Sequence, residues 1–179
     1  MKKKILLVLV LVALVSTGAF AQLALEGNLN FNGREISQSI GISYALPSFD
    51  ILAGFNFGFY RVSGKIEGYS FSDSDVFFGL YGGIAPRVVE SNNWTLSLPL
   101  LANFYSYLDV LAFGLTAGAR AEYSLSQNWS IFGGLSLNIF TWVRRDDYEI
   151  IMGYPFYYKV NGIAIFDGGF MQFGVKYSF

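Results

Sequence analysis

The sequence predicts an all-β protein, an eight-stranded antiparallel up-and-down transmembrane β-barrel preceded by a signal peptide. Its 179 residues are 53% hydrophobic and 18% aromatic but only 14% charged, against about 25% charged in soluble domains. After the N-terminal segment, no apolar run approaches the ~20 residues that a membrane helix needs. Apolar residues instead alternate with polar or small ones. Barrel strands with one face to lipid and one to the lumen account for both facts.

Residues 1–21 have the layout of a secretory signal peptide. Three lysines open the segment, an apolar run covers 5–15, and the small residues Ala19 and Ala21 precede the expected cleavage. The run is too short for a membrane span. The barrel is therefore expected over 22–179 as a single domain. Loss of the three lysines would leave 9 basic and 13 acidic residues, which predicts no nucleic-acid partner.

The first four strands are predicted from apolar residues that recur at every second position, as on one face of a strand. Asn32-Gly33 marks a turn after the first strand, and Pro47 marks a turn after the second. The residues expected to face lipid are, strand by strand, Leu23, Leu25, Leu29 and Phe31; Ile36, Ile40, Ile42, Tyr44 and Leu46; Ile51, Ala53, Phe55, Phe57 and Phe59; and Phe78, Leu80, Ile84 and Val88.

The last four strands follow the same alternation up to the final residue. Pro86 and Pro99 each lack an N–H group for the sheet, so bulges are expected beside them in the fourth and fifth strands. The residues expected to face lipid are Trp94, Leu96, Leu98, Leu100 and Phe104; Leu111, Phe113, Leu115, Ala117, Ala119, Ala121 and Tyr123; Trp129, Ile131, Leu135, Leu137 and Ile139; and Met171, Phe173, Val175, Tyr177 and Phe179.

The connections between strands alternate in length, as membrane barrels require. Short turns are expected at 47–50, 90–93 and 126–128, on the periplasmic side. Long polar connections are expected outside, over 61–75 and 143–162. Trp94 and Trp129 each follow a short turn, and with Tyr44 and Tyr123 they predict an aromatic girdle at the inner membrane interface.

The last eight residues resemble the terminal signature of bacterial outer-membrane barrels, a pattern of polar, glycine and aromatic positions. Gln172, Gly174, Tyr177 and Phe179 match it. The resemblance implies that this strand is read by the barrel-assembly machinery during insertion. The mature chain as a whole resembles the small OmpA/OmpX-type barrels, which implies the fold, outer-membrane lipid as its surroundings and location in the cell outer membrane. It does not imply an activity.

Charged residues on the inward phase of the strands are the most informative polar set. They are Glu26, Arg87, Arg120, Glu122 and Lys176. The interior of an eight-stranded barrel is just wide enough to be filled by side chains, and a buried charge is costly unless it is paired. These five residues are therefore predicted to form a salt-bridged plug with asparagines above it. Rim charges facing periplasmic water, or the lining of a narrow ion path, are the alternatives.

The long connection over 143–162 is the best candidate for surface contact, because tyrosine and arginine are enriched at binding hot spots. Its candidate residues are Arg144, Arg145, Tyr148, Tyr154, Phe156, Tyr157 and Tyr158. The alternative is that the seventh and eighth strands extend beyond the membrane and their aromatic residues pack on each other. The sequence specifies no extracellular ligand.

Residue types narrow the functions that remain. The chain has no histidine and no cysteine, so an enzyme with the usual general base, a thiol nucleophile or an imidazole-bound metal is not expected. No cofactor or metal is predicted. A closed barrel with a structural or surface-interaction role is the first hypothesis, and a narrow channel for small solutes or ions is the second. A secreted lipocalin-type barrel, the rival fold, would need a wettable outer face.

Overall fold

In a computed structural model of the chain, the structure describes residues 22–31, 35–66, 69–106, 110–151, 154–166 and 168–179. Side chains are described outside 60–75, 145–151 and 154–160. The expected signal peptide lies outside the described residues. Within these described ranges, no helix is long and apolar enough to cross a membrane.

Ten strand segments make one antiparallel sheet that closes on itself. They are β1 (Leu23–Phe31), β2 (Glu35–Ala45), β3 (Phe49–Ile66), β4 (Tyr69–Glu90), β5 (Trp94–Ser97), β6 (Leu100–Ser106), β7 (Val110–Ser124), β8 (Trp129–Ile151), β9 (Tyr154–Ile165) and β10 (Gly169–Ser178). Segments β5 and β6 both lie between β4 and β7, so they form one barrel strand, and β9 and β10 continue each other along β8. Pairing of β1 with β2 and β10 closes the ring. The predicted eight-stranded barrel is confirmed.

The two prolines interrupt the sheet where expected. Pairing of β4 with β5 shifts register between Arg87 and Val89, and Pro99 lies in the gap between β5 and β6. The proline carbonyls still hold the sheet together, since Pro86 accepts from the Leu98 N–H at 2.9 Å and Pro99 accepts from the N–H of residue 118 at 2.9 Å. The barrel strand therefore stays continuous in space across the irregularity.

A second irregularity was not predicted. Leu115 of β7 pairs with Phe140 of β8, whereas the next residue, Thr116, pairs with Asn138. The pairing skips residue 139 of β8, which therefore forms a bulge. Opposite it, β9 and β10 are separated by a short break with Phe166 at φ 56° and Gly168 at φ 85°. Bulges of this kind need no proline, so the sequence offers no local marker for them.

The molecule is apolar outside and polar inside. Outward aromatic side chains such as Phe55, Phe59 and Phe78 are 66%, 64% and 65% exposed. Among the described side chains, polar and charged ones outnumber apolar ones in the buried class. An apolar band of this extent in water would be an aggregation surface. The outer face therefore fits lipid, and the lipocalin-type alternative does not fit.

The two ends of the barrel differ. One end, here called the turn end, carries the short turns 46–48, 91–93 and 125–128; the other, here called the loop end, is uneven in height. The long loop expected over 61–75 is wrong, because β3 and β4 stay paired as far as Ile66 and Tyr69. Likewise β8 and β9 stay paired up to Ile151 and Tyr154, which agrees with the alternative of extended strands over 143–162.

The loop over 61–75 was expected because these residues are polar. Polar residues indicate that a segment contacts water, but a strand can contact water as well as a loop can. A hairpin pairs the backbone groups of both its strands, and the turn needs as few as two residues. The two tall hairpins, β3–β4 and β8–β9, are the third and fourth and the seventh and eighth barrel strands. They therefore stand on opposite sides of the barrel mouth.

Candidate functional site

Charged side chains from five strand segments meet inside the barrel at the turn end. Each stands on the lumen side of its strand, where every second residue points inward. The five predicted residues are all present: Glu26 on β1, Arg87 on β4, Arg120 and Glu122 on β7, and Lys176 on β10. A sixth, Asp50 on β3, joins them.

Arg120 is the centre of this network and is 5% exposed. Its Nη1 lies 2.8 Å from Glu26 Oε2 and its Nη2 lies 3.0 Å from Glu26 Oε1, so the pair is bidentate. The same Nη2 lies 3.1 Å from Glu122 Oε2. The guanidinium also stacks on Phe132, with Cζ 3.7 Å from the ring centroid. Bidentate geometry of this kind gives strong, oriented bonds, so Arg120 ties β1 to β7 across the lumen.

Lys176 and Asp50 carry the network round the wall. Lys176 Nζ lies 3.3 Å from Glu122 Oε2 and 3.7 Å from Asp50 Oδ2. Asp50 in turn accepts a hydrogen bond from Arg87, which also lies 2.9 Å from Glu90 Oε1. The chain of contacts therefore runs without a break from Glu26 on β1 to Glu90 at the rim.

The charges inside the network balance. Three cations, Arg87, Arg120 and Lys176, meet three inward carboxylates, Glu26, Asp50 and Glu122. Glu90 is outside this set, since its side chain is 53% exposed. A neutral, fully paired set is the arrangement in which buried charges are tolerated.

Asp50 was expected in the turn 47–50 and was therefore not predicted to belong to the lumen charges. In the structure β3 begins at Phe49, so Asp50 is the second residue of a strand and is 7% exposed. The sequence did indicate an inward position for Asp50. Asp50 precedes the inward residues Leu52 and Asn56 by an even number of positions, so it lies on the same face of the strand. Extending the alternation back by one residue pair would have found it.

Phe132 fills the lumen beside the network, and a glycine makes room for it. Phe132 is 4% exposed. A Cβ atom added at Gly174 would overlap the Phe132 ring and would lie 2.5 Å from the carbonyl oxygen of Gly27. Gly174, a residue of the terminal signature, therefore has a packing role that its place in the signature did not indicate.

Above the network, towards the loop end, the lumen lining changes from charges to amides and hydroxyls. Asn30 donates from Nδ2 to Ser39 at 2.9 Å and to Ser37 at 3.4 Å. Across the barrel, Asn103 donates from Nδ2 to Thr116 at 2.7 Å. These groups surround a cavity with about 50 Å³ of room for the centres of water molecules.

The other signature residues take up two positions. Gln172 is 8% exposed and lines the cavity, whereas Tyr177 and Phe179 belong to an aromatic cluster on the outside of the turn end. Ring centroids in that cluster lie 4.9 Å apart for Trp129 and Tyr177, and 5.3 Å apart for Tyr177 and Phe179. A matching pair, Trp94 and Tyr123, lies 4.7 Å apart on the neighbouring wall.

The residues proposed for surface contact lie on the β8–β9 hairpin. Arg144 pairs with Leu111 of β7 and with Asn161 of β9, and Arg145 faces Val160. In the register of β8 and β9, Tyr148 lies opposite Tyr157, whereas Tyr154, Phe156 and Tyr158 lie opposite Ile151, Glu149 and Asp147. The side chains of Arg145, Tyr148, Tyr154, Phe156, Tyr157 and Tyr158 lie outside the described part of the structure.

Comparison with protein-family models and with curated proteins finds no match. Solved structures do match. The outer membrane protein OprG from Pseudomonas aeruginosa has a TM-score of 0.59 at 10% identity, over 88% of this chain and 94% of that one. A major outer membrane protein from Thermus thermophilus has a TM-score of 0.56 at 14% identity, over 88% of this chain and 98% of that one.

Neisserial surface protein A is a third match, with a TM-score of 0.51 at 10% identity over 88% of this chain and 94% of that one. The fold is that of the small outer-membrane barrels. Each of these three chains is covered almost completely, so the likeness is to whole barrels and not to part of a larger one. At such low identity the likeness extends to the fold alone.

Proposed function

We propose that this protein is an outer-membrane barrel that is closed to ions and acts at the cell surface through its tall hairpins. The observation that carries the proposal is the buried, charge-balanced network at the turn end. It links β1, β3, β4, β7 and β10 across the lumen. An ion crossing there would have to separate paired charges in a region of low dielectric, which is costly.

The hairpins β3–β4 and β8–β9 support the second half of the proposal. The β3–β4 hairpin extends beyond the ends of its neighbours, β2 at Glu35 and β6 at Ser106, and the β8–β9 hairpin extends beyond the end of β7 at Val110. A structural barrel that only spans lipid would not need this extra height. The residues proposed for contact remain those of the β8–β9 hairpin, Arg144, Arg145, Tyr148, Tyr154, Phe156, Tyr157 and Tyr158. In this proposal the protein has no enzymatic activity.

Location and orientation belong to the same proposal. The turn end faces the periplasm and the loop end faces outwards, as in barrels with short periplasmic turns. The aromatic cluster at the turn end fits the inner interface, where rings sit half in water. Insertion uses the barrel-assembly machinery, with Gln172, Gly174, Tyr177 and Phe179 as the signal, and the barrel then sits in outer-membrane lipid.

Conductance in a planar lipid bilayer tests closure. The refolded barrel, shown to be heat-modifiable on a gel, should give no single-channel openings. A double variant, Glu26→Ala with Arg120→Ala, removes a pair of opposite charges together with their volume and should give small openings. Glu90→Gln, at the exposed rim, is the matched control and should stay silent. Reproducible openings of the unaltered barrel would show that the closed-barrel proposal is wrong.

Cysteine labelling tests location and orientation, because the chain has no cysteine of its own. Gly162→Cys on β9 and Asn92→Cys in the turn 91–93 are both at exposed positions, on opposite ends of the barrel. A membrane-impermeant maleimide should label Gly162→Cys in intact cells and Asn92→Cys only after lysis. The reverse pattern would contradict the proposed orientation, and no labelling of either in intact cells would contradict surface exposure.

A narrow channel is the second candidate, and the lumen cavity favours it. The cavity reaches from Glu26 and Arg120 to Glu35 and Tyr105, so part of the lumen already has room for water. In this alternative the ion network is a gate and not a permanent plug. Openings of the unaltered barrel that change in size or frequency with Arg87→Gln would support the channel.

A further inference from the structure

We propose that the lumen cavity is a binding site for a small singly charged cation, of the size of ammonium or methylammonium. The site is formed by Glu35, Asn28, Asn30 and Asn103, all of which line the cavity. Glu26 and Arg120 of the ion network form the floor of the same cavity. The proposal does not depend on whether the barrel conducts, since it concerns binding at equilibrium.

The lining of the cavity has one carboxylate more than the described cations balance. The network at the cavity floor is balanced, with Arg120 held by Glu26 and Glu122. Glu35, at the opposite side of the cavity, is an additional carboxylate. Among the described side chains its hydrogen bond comes from the Ser37 hydroxyl at 3.1 Å, which leaves the negative charge without a cation from that set. A ligand of one positive charge would balance it.

The asparagine amides of the lining act as donors in their described side-chain hydrogen bonds. The side-chain hydrogen bonds of Asn30 and Asn103 within the described part of the chain all use Nδ2 as the donor. Their carbonyl oxygens are thus left as acceptors. Asn28 Oδ1 is buried and has no hydrogen-bond partner among the described residues, although buried acceptors are satisfied in nearly all proteins. The cavity therefore offers oxygen acceptors, which suit a cation or an N–H donor and repel an anion.

The size of the cavity suits one small cation. One water needs roughly 10–15 Å³ of room for its centre, so the 50 Å³ of this cavity can hold a few waters or one small ammonium ion with a water. Ammonium and methylammonium carry N–H groups that can satisfy several oxygens at once. Water alone would satisfy Asn28 Oδ1 but would not balance Glu35, which is why a cation is the better occupant.

Nuclear magnetic resonance of the refolded mature barrel in detergent micelles would test the site. Ammonium, methylammonium or potassium chloride is titrated at constant ionic strength, with choline chloride as the balancing salt because choline is too large for the cavity. We expect saturable shifts of the Asn28, Asn30 and Asn103 side-chain amide signals, with half-saturation at millimolar concentration. Saturation by potassium as well would identify a general monovalent-cation site, whereas saturation by the ammonium ions alone would identify N–H donation.

Two substitutions, one that removes a negative charge and one that adds a negative charge, sharpen the test. Glu35→Gln should raise the half-saturating concentration at least tenfold, and Asn28→Asp, which adds a carboxylate beside the same cavity, should lower it. Glu90→Gln is the matched control, since it removes a carboxylate at the exposed rim and should leave the titration unchanged. Shifts that do not saturate, or that are the same in Glu35→Gln, would show that the cavity holds water only and would overturn the proposal.

Discussion

The two halves of the lumen solve the problem of a polar interior in different ways. At the turn end, charged groups of both signs bond one another with little residual capacity, and Phe132 fills the space beside them. Towards the loop end, amides and hydroxyls are joined in short chains around a cavity, and Asn28 Oδ1 has no partner among the described residues. The half at the turn end is packed and balanced in charge, whereas the half at the loop end contains the cavity and leaves acceptor oxygens unused.

The charged groups at the turn end hold the barrel together, whereas the groups around the cavity are available for binding. A bidentate pair between β1 and β7 connects strands that are 94 residues apart in sequence, so it constrains the cross-section of the barrel. Hydrogen bonds between neutral groups beside a cavity can be replaced by water with little loss. Substitutions should therefore be costly in the turn half and mild in the loop half.

Arg120→Leu should have the largest effect on stability. It leaves the Glu26 carboxylate buried without its cation, and breaking a buried pair in this way costs about 3–5 kcal/mol. The free energy of unfolding of the barrel in lipid vesicles, measured by urea titration, checks this. The double variant with Glu26→Leu should recover much of the loss, because both charges are then absent. An unchanged urea midpoint for Arg120→Leu alone would show that the network does not stabilise the barrel.

Gly174→Ala comes next. The added methyl group would overlap the Phe132 ring and would lie 2.5 Å from the Gly27 carbonyl oxygen, and overpacking of this kind costs about 1–3 kcal/mol. The same urea titration measures the cost. Gly27→Ala is a matched control, because an added Cβ there meets nothing within 4 Å. Equal midpoints for the two variants would contradict the packing role of Gly174.

Much of this architecture could be predicted from the sequence, because a strand reverses face at every residue. The alternation of residues along each strand was enough to predict Phe55, Phe78 and Leu135 on the lipid face and Arg120 in the lumen. The exposed fractions of these side chains agree with the prediction. Pro86 and Pro99 marked their own irregularities, because each lacks an N–H group. The strand faces and two of the breaks thus follow from local chemistry.

Other features depend on the whole barrel and have no local marker. The alternation along a strand gives the face on which a residue lies, but not its position along the barrel axis. That position determines that Arg120 bonds Glu26, while Lys176 bonds Glu122 and Asp50. It is set by the stagger of all the strands together. Asp50 was missed because the strand boundary was set too late, and the bulge at 139 has no proline. The cavity is the space that the lumen side chains leave unfilled when they pack, so no single residue predicts it.

Asn103→Ala tests the half of the lumen at the loop end. It removes the 2.7 Å bond to the Thr116 hydroxyl, and a hydrogen bond between neutral groups contributes about 0.5–1.5 kcal/mol. Because a cavity water can take the place of the amide, the loss in unfolding free energy should lie at the lower end of that range. Asn92→Ala, in the exposed turn, is the control. A loss as large as that of Arg120→Leu would remove the distinction between the two halves.

Glu90→Gln should have the smallest effect and shows where the network ends. Glu90 contacts Arg87 at 2.9 Å, but its side chain is 53% exposed, and exposed ion pairs contribute roughly 0–1 kcal/mol. Asp50→Asn, which removes the charge between Arg87 and Lys176, should lower the unfolding free energy by clearly more in the same titration. Raising the salt concentration should abolish any effect of Glu90→Gln and leave most of the Asp50→Asn effect, because screening reaches the rim and not the interior. If the two variants behave alike, water already reaches Asp50, and the packed half of the lumen begins higher, at Arg120.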